Sequence, residues 1–490
     1  MSCAVLITAA LLLPLSAVAS GHRIHRGRPH HKHGMLGEPV LNAFVDMGEP
    51  EILWINQRLD HFNPADQRMW RQRYMVNEKF YKKGGPVFLL LGGEGEASPK
   101  WLSAPVHIML MAKRFGALVF HLEHRFYGKS HPTPDLSTKN LAYLSSQQAL
   151  ADAAAFRNSI SGQRRLDHQA KWVVFGGSYS GSLAAWFKLK YPHLAIGAVA
   201  SSAPMVALID FSDYVRVVSD SLGRQCSDKV KAGFEQLKRL VTIRSQWAVI
   251  DEKFKTCVPF VSSNKLNMQS FFESVAGHFE GVVQYNKDQR ISGASKITID
   301  KLCNLMQNSD PLEGLAAVNN LMLADGNQSC LDYDYDKFVR NMRNVSFDST
   351  AAEGGRQWIY QTCVEFGFFQ SSSSKDQPFG NQFPVELFVQ QCRDIFEDFF
   401  DETMLSMGTF HTNTEYGGTW PQLRNVTFPN GSIDPWHAIG ILHNLSDDVT
   451  ANYIIGTAHC ADMYPPADTD DYTLKEGRAK IEAQVTKWLL

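Results

Sequence analysis

The stretch Lys171-Trp-Val-Val-Phe-Gly-Gly-Ser-Tyr-Ser-Gly-Ser-Leu183 decides how the rest of the chain is read. Trp172 to Phe175 is a short apolar run of the kind a sheet buries. Gly176 and Gly177 interrupt it, and Leu183-Ala-Ala-Trp-Phe187 opens a helical pattern. A serine on so sharp a strand-to-helix turn is a nucleophile elbow. The turn holds Oγ of Ser178 out above the sheet edge, and the helix N-terminus behind it offers N–H groups and a positive dipole end. The match to G-x-S-x-G is incomplete: Gly176 fits the first glycine, Ser180 stands where the second belongs, and Gly181 comes one place late. A Gly/Ser strand–helix connection without chemistry reads the same stretch, so the turn needs partners elsewhere in the chain.

Working outward, Pro86–Leu91 and Ala117–His121 are continuous apolar runs, as buried parallel strands are, and Ala195–Ala200 is another. Leu144–Phe156 has helical periodicity between them. Strands alternating with helices predict a parallel α/β sheet. After Met205 the rhythm changes. Asp210–Ser221, Cys226–Thr242, Phe271–Phe279 and Leu312–Leu323 read as helices, and Ser371–Asp376 as a flexible loop. Strands return at Asn425–Phe428 and Asn452–Ile455, and Leu474–Leu490 closes as a helix. The organisation is a first core part over 42–204, a mostly helical insertion over 205–408 and a second core part over 409–490.

A serine hydroxyl needs a base, and the base needs an acid to fix its tautomer. In α/β enzymes of this kind the order is Ser, then Asp or Glu, then His, each on a loop after a strand. Asp434 follows one of the returning strands, in Pro429-Asn-Gly-Ser-Ile-Asp-Pro-Trp-His437, and His459 follows the next, in Gly456-Thr-Ala-His-Cys-Ala-Asp462. Ser178, Asp434 and His459 are the candidate catalytic residues. His437 is too near Asp434 to serve as a separate base, His124 precedes the serine, and Asp462 is poorly spaced from His459. The amide of Tyr179 and one near Gly93, in the loop after Pro86–Leu91, are the candidate oxyanion donors. Glu94 reads either as a contact for a substrate amine or as a structural hydrogen-bonding residue.

Compartment is legible too. Ala4–Ala19 is apolar and ends Ala17-Val18-Ala19, a small-x-small cleavage pattern, so 1–19 is expected to be a signal peptide although it has no basic n-region. Residues 20–41 begin with a tail in which His22, His25, His30, His31 and His33 alternate with Arg23, Arg26, Arg28 and Lys32. It reads as a disordered polar tail, a metal-binding tract or a removable pro-segment. Asn327, Asn344, Asn425 and Asn444 head sequons expected to carry glycans, and Asn430 heads one expected to stay unused beside Asp434. Six cysteines between Cys226 and Cys392 read as three disulfides of an oxidising compartment, leaving Cys460 unpaired. No C-x-x-C spacing suggests zinc, and no metal or cofactor is expected. Lys and Arg total 48 against 50 Asp and Glu, with no large basic block outside the tail, which argues against a nucleic-acid partner. No second long uncharged apolar stretch follows the leader, so no membrane span is expected.

These residues resemble the serine peptidase family of lysosomal Pro-X carboxypeptidase, dipeptidyl peptidase II and thymus-specific serine protease. The matching stretches are Gln57-Arg-Leu-Asp-His-Phe62, Gly92-Gly-Glu-Gly95, Glu123-His-Arg-Phe-Tyr-Gly128, the Ser178 turn through Trp186, Ser201-Ser-Ala-Pro204, Trp358-Ile-Tyr-Gln-Thr-Cys363 with Glu365 and Gly367, and Asn430–His437. The likeness is nearest to the thymus-type branch, through Gly-Gly-Glu-Gly, Ser182-Leu-Ala-Ala-Trp186 and Ala458-His-Cys460. It implies an α/β-hydrolase fold with a disulfide-stapled helical cap, and catalytic roles for Ser178, Asp434 and His459. It further implies cap pairs Cys226–Cys303, Cys257–Cys330 and Cys363–Cys392, substrate contacts at Glu94, Trp358 and Glu365, and work in the endosome, lysosome or extracellular space. Peptides are the expected partners, with exopeptidase action favoured and a homodimer left open. An esterase on the same fold, and an inactive hydrolase-fold binding protein, are the competing readings. Gly92-Gly-Glu-Gly95 stands where the exopeptidases carry Gly-Asn-Glu-Gly, so proline preference does not transfer with the fold.

Overall fold

The computed structural model describes residues 23–25, 28–30, 33–34, 36–41, 45–167, 169–287, 290–291 and 295–490. The expected leader, 1–19, and Asn42, where the core was expected to begin, lie outside them.

Eight strands form one sheet. They are β1 (Glu51–Arg58), β2 (Met69–Asn77), β3 (Val87–Leu91), β4 (Leu118–Leu122), β5 (Trp172–Gly177), β6 (Gly197–Ser201), β7 (Val426–Gly431) and β8 (Val449–Ile454). Their spatial order is β1-β2-β4-β3-β5-β6-β7-β8, the order of an α/β-hydrolase. Strands β3 to β8 are parallel, β1 pairs antiparallel with β2, and β2 antiparallel with β4. The sheet is therefore mixed, where the sequence rhythm predicts parallel strands alone. The extra hairpin carries Glu51, Arg58, Arg71 and Arg73 among its apolar residues, and its outer strand is largely exposed. A half-wet edge pair lacks the continuous apolar signal of the central strands.

Every residue of β3 and β5 is buried. Alternate side chains serve opposite faces because successive residues of a strand point to opposite sides. On one face Leu89, Leu91 and Val174 pack with Leu183, Ala184 and Trp186; on the other Phe88, Leu90, Val173 and Phe175 pack with Met109, Ile481 and Trp488. The first face is covered by helices Ser146–Gln163 and Tyr179–Lys190, the second by His107–Phe115 and Tyr472–Leu489. Each large apolar side chain so buried contributes about 1.5–3 kcal/mol.

Between β6 and β7 the chain leaves the sheet. It forms helices that include Asp213–Leu222, Arg224–Val241, α1 (Lys265–Gln284), Ile299–Gln307, Pro311–Asp325 and Glu402–Tyr416, with a two-residue-register parallel ribbon joining Leu208–Asp210 to Gly367–Phe369. Three disulfides staple this helical insertion: Cys226–Cys303, Cys257–Cys330 and Cys363–Cys392. The serine run at Ser371 is an irregular loop whose first two residues are anchored while Ser373, Lys375 and Asp376 are exposed. Ser371 and Ser372 are buried, with Ser371 Oγ donating to Asp210 and Ser372 Oγ accepting from Phe383 N at 3.1 Å. Polar residues that find partners can be buried at little cost.

The sheet has one productive edge. Gly177 lies in register with Ser201, Leu91 with Leu122, and Gly431 with Ile454. The loops after β3, β5, β6, β7 and β8 therefore leave side by side, at the carboxyl ends where open α/β sheets bind ligands.

Candidate active site

Ser178 has φ 59° and ψ −133°, a backbone state that non-glycine residues seldom adopt. Its neighbours are what permit it. A Cβ at Gly176 would lie 1.9 Å from the Ser180 carbonyl oxygen, and one at Gly181 would lie 2.6 Å from that of Ser201. Gly181, one place late for the motif, is thus the glycine that lets the helix pass β6. Ser180 is accommodated because its side chain folds back: Oγ donates to Gly177 O at 2.8 Å and accepts from Gly177 N at 3.0 Å. The hydroxyl closes the turn it interrupts. Ser178 N donates to Ser201 O at 2.9 Å, tying the elbow to β6.

Asp434 follows β7 and caps a short turn of helix, Oδ1 accepting from Trp436 N at 3.0 Å. Its Oδ2 stands 2.9 Å from His459 Nδ1, and both side chains are wholly buried. Burial works against a charged imidazole, but the Asp434 carboxylate and the Cys460 side chain outweigh it and hold the His459 pKa well above the ordinary histidine range. Cys460 is buried, its N donating to Ser202 Oγ at 2.9 Å. Its Sγ lies 3.0 Å from the Cβ position of Gly177, which brings the loop of His459 against the elbow of Ser178. Asp462, the other aspartate weighed for His459, instead accepts from Ser201 Oγ at 2.6 Å. His437 meets the Tyr453 ring at 5.4 Å.

Gln284, the last residue of α1, joins these loops. Its carbonyl accepts from His459 N at 2.9 Å, and its side-chain oxygen accepts from Trp436 Nε1 at 3.1 Å and Tyr214 Oη at 2.6 Å. Nothing in a single sequence marks this glutamine, because its partners are far along the chain, Tyr214 70 residues away and Trp436 152.

The loop after β3 is anchored from beneath. Glu123 accepts from Ala97 N at 3.1 Å and Ser130 Oγ at 2.6 Å and pairs with Arg73, which also donates to Ala97 O at 2.9 Å. Gly93 lies against Ser180: a Cβ there would be 3.5 Å from that of Ser180. Tyr179, at the start of its helix, is fixed through its phenol. His124 donates from Nδ1 to Arg125 O at 2.7 Å, so its Nε2 accepts from Tyr179 Oη at 3.1 Å, and Gln361 Nε2 donates to the same oxygen at 3.0 Å. Burial pushes the His124 pKa down to about 4, so this imidazole is neutral.

The three expected substrate contacts part company. Trp358 is half-buried with its ring 5.6 Å from that of Tyr179. Glu94 is buried between Gly34 and Gly354, whose Cβ positions lie 3.1 and 2.6 Å from its carbonyl oxygen. Glu365 is committed elsewhere, accepting from Ser146 N at 2.9 Å, Ser146 Oγ at 2.6 Å and Gln361 Nε2 at 3.1 Å. It supports the bracket around Tyr179 through Gln361. Of the sequon asparagines, Asn327, Asn344 and Asn444 are exposed. Asn425 is half-buried with φ 57°, its Nδ2 donating to Ile196 O at 2.9 Å. Asn430 is buried in β7, with Nδ2 donating to Ile441 O at 3.1 Å. Among the described residues no cluster of three or more His, Cys, Asp or Glu is arranged to hold a metal ion.

The strand order and the serine elbow define an α/β-hydrolase of the serine type. Residues 57–481 match serine carboxypeptidase S28, and the chain belongs to that family of serine peptidases. Among its relatives, K12H4.7 of Caenorhabditis elegans is 37% identical over 507 aligned positions, covering 99% of this chain and 98% of that protein. Thymus-specific serine protease of Mus musculus is 35% identical over 458, covering 90% and 88%. Lysosomal Pro-X carboxypeptidase of Homo sapiens is 26% identical over 450, covering 89% and 88%.

Proposed function

We propose that the chain hydrolyses peptides through an acyl-enzyme formed on Ser178, with His459 as base and Asp434 as its orienting acid. The observation that carries this reading is the buried His459–Asp434 pair at 2.9 Å, on the two strand-end loops that follow the elbow. Ser178 Oγ attacks the scissile carbonyl while its proton passes to His459 Nε2. The oxyanion is met by the N–H groups of Tyr179 and Gly93. The tetrahedral adduct collapses, its C–N bond breaks, and His459 returns the proton to the leaving amine. Water then repeats the sequence on the acyl-enzyme, with the same imidazole as base, and frees Ser178.

Exopeptidase action is supported by the helical insertion of some two hundred residues between β6 and β7, whose α1 bonds to the His459 and Asp434 loops and would restrict access there to chain ends. The expected leader, the three disulfides and the relative named lysosomal support an endolysosomal or secreted peptidase. Among the described residues no helix is long and apolar enough to cross a membrane. Ser178→Ala is expected to abolish turnover of a mixed peptide library while leaving the fold intact. Turnover equal to wild type would overturn the assignment. Mass-spectrometric profiling of the products should show successive trimming from one end; internal fragments would refute the exopeptidase mode.

A further inference from the structure

Four residues at the end of β6, Ser201-Ser-Ala-Pro204, join the three arms of the site. On the nucleophile arm, Ser201 O accepts from Ser178 N at 2.9 Å and Pro204 O accepts from Ser182 Oγ at 2.7 Å. On the acid arm, Ser202 N donates at 2.7 Å to Pro429 O, in the strand that leads to Asp434. On the base arm, Ser202 Oγ accepts from Cys460 N at 2.9 Å, Ser201 Oγ donates to Asp462 Oδ2 at 2.6 Å, and Cys460 Sγ lies 3.9 Å from Ser201 O. Ser201, Ser202 and Cys460 are all buried. Ser178, Ser202 and Cys460 have φ of 59°, 47° and 54°, in the left-handed region that side-chain-bearing residues seldom occupy. Backbone of this kind persists where its surroundings over-determine it, and it gathers at working sites. Glycine holds such a φ without steric cost. What serine adds to glycine at position 202 is a hydroxyl, and that hydroxyl is spent on the amide next to the base.

We propose that Ser202 is a positioning residue for hydrolysis, its Oγ fixing the backbone of His459 relative to Ser178. The inference rests on the reading of Ser178 and His459 as nucleophile and base. Two hydrogen bonds through adjacent residues span the distance between them, Ser178 N to Ser201 O and Cys460 N to Ser202 Oγ. The His459 ring is oriented by Asp434 and its amide by Gln284 O, anchors that belong to the β7 loop and to the insertion. The Ser202 hydroxyl ties the base instead to the strand end that also holds the nucleophile. The reach of His459 Nε2 to Ser178 Oγ depends on where this backbone lies, and a misplacement of about 1 Å can cost about a hundredfold in rate. Removing the hydroxyl strands the Cys460 N–H in a buried place. A buried amide without a partner is costly, so the chain at 459–460 shifts to find one and carries the imidazole with it. The shift stays local because the rest of the loop is gripped from outside. Arg478, on the closing helix, donates to Ala461 O at 2.9 Å, Asp462 O at 3.0 Å and Tyr464 O at 3.2 Å, and pairs with Asp470 at 2.6 Å.

The test compares Ser202→Ala, Ser202→Gly and Ser202→Thr in the full chain. The parameters kcat and KM are measured on one peptide that the wild type cleaves, fluorophosphonate labelling of Ser178 is timed, and thermal midpoints are taken alongside. Ala and Gly both lose the hydroxyl, so each should lower kcat about tenfold to a hundredfold, with KM within about twofold and labelling slowed in step. The Gly variant should be at least as stable as the Ala variant, since it relieves the positive φ. Thr restores the hydroxyl but branches at Cβ where φ is 47°, so it should be the least stable of the three and the most active. A merely structural role would order activity by stability. Wild-type kcat in Ser202→Gly, or kcat following the thermal midpoints across the three variants, would overturn the role of Ser202 and leave the triad standing. Full turnover in Ser178→Ala or His459→Gln would instead overturn the nucleophile and base themselves.

Discussion

At the scale of single residues, the elbow is held by side chains that differ from the usual glycines. Ser180 replaces a glycine by bonding both ways to Gly177. Ser180→Ala keeps the shape and loses those bonds, so thermal unfolding should show a loss of about 1 kcal/mol with turnover largely retained. Cys460 is the more telling position. Its side chain helps hold the His459 pKa up, yet under the proposed mechanism His459 must be neutral to take the Ser178 proton. Cys460→Ala is therefore expected to move the acid limb of the kcat/KM profile to lower pH; an unmoved limb would show that Asp434 alone sets it. Stability runs the other way. A histidine whose folded pKa is raised contributes stability fully below its unfolded pKa, about 6.5, and loses it as pH climbs through the folded value. Denaturant midpoints should thus fall, over the rising limb of activity, by more in wild type than in His459→Gln.

At the scale of elements, the strand-end loops need anchors as much as the residues they present. The loop after β3 hangs on the buried Glu123–Arg73 pair. Breaking such a pair strands a buried charge and costs about 3–5 kcal/mol. Glu123→Ala should lower stability by that order, and should lower kcat more than it raises KM if the loop positions an oxyanion donor. A stability loss with kcat unchanged would detach the loop from the chemistry. Much of this scale was legible. Strands β3 to β6 announce themselves as apolar runs because both their faces are covered, and the helical patterns Cys226–Thr242 and Leu312–Leu323 lie within two residues of the helices at each end. The β1–β2 hairpin was not legible, since it alternates charge with apolar residues on an open edge. Nor was the role of Gln284, whose carbonyl and side-chain oxygens tie α1 to the His459 and Asp434 loops, or the commitment of Glu365 to Ser146, 219 residues away. Long-range pairing of polar groups leaves no periodic trace in sequence, whereas burial does.

At the scale of the whole molecule, the covalent staples and the hydrolytic edge lie in different parts of the chain yet share one link. All three disulfides fall between Cys226 and Cys392, so reduction acts on the insertion and leaves the sheet without a direct loss. Each bridge stabilises by about 2–4 kcal/mol, chiefly by constraining the unfolded chain. The link is α1, which belongs to the insertion but ends at Gln284 on the amide of His459 and the indole of Trp436. Loosening the insertion therefore reaches the histidine loop before it reaches the core, where β3, β5 and their flanking helices stay packed. Titration with reductant should abolish peptide turnover while far-ultraviolet circular dichroism still reports most of the helix and sheet signal. Cys257 and Cys330 lie on no helix, whereas Cys303 lies on the helix Ile299–Gln307 that packs against α1, so Cys257→Ala with Cys330→Ala should cost stability with less loss of turnover than Cys226→Ala with Cys303→Ala. If activity and circular dichroism fell together, and the two pairs behaved alike, the insertion and the sheet would be one cooperative unit and α1 would have no special place in it.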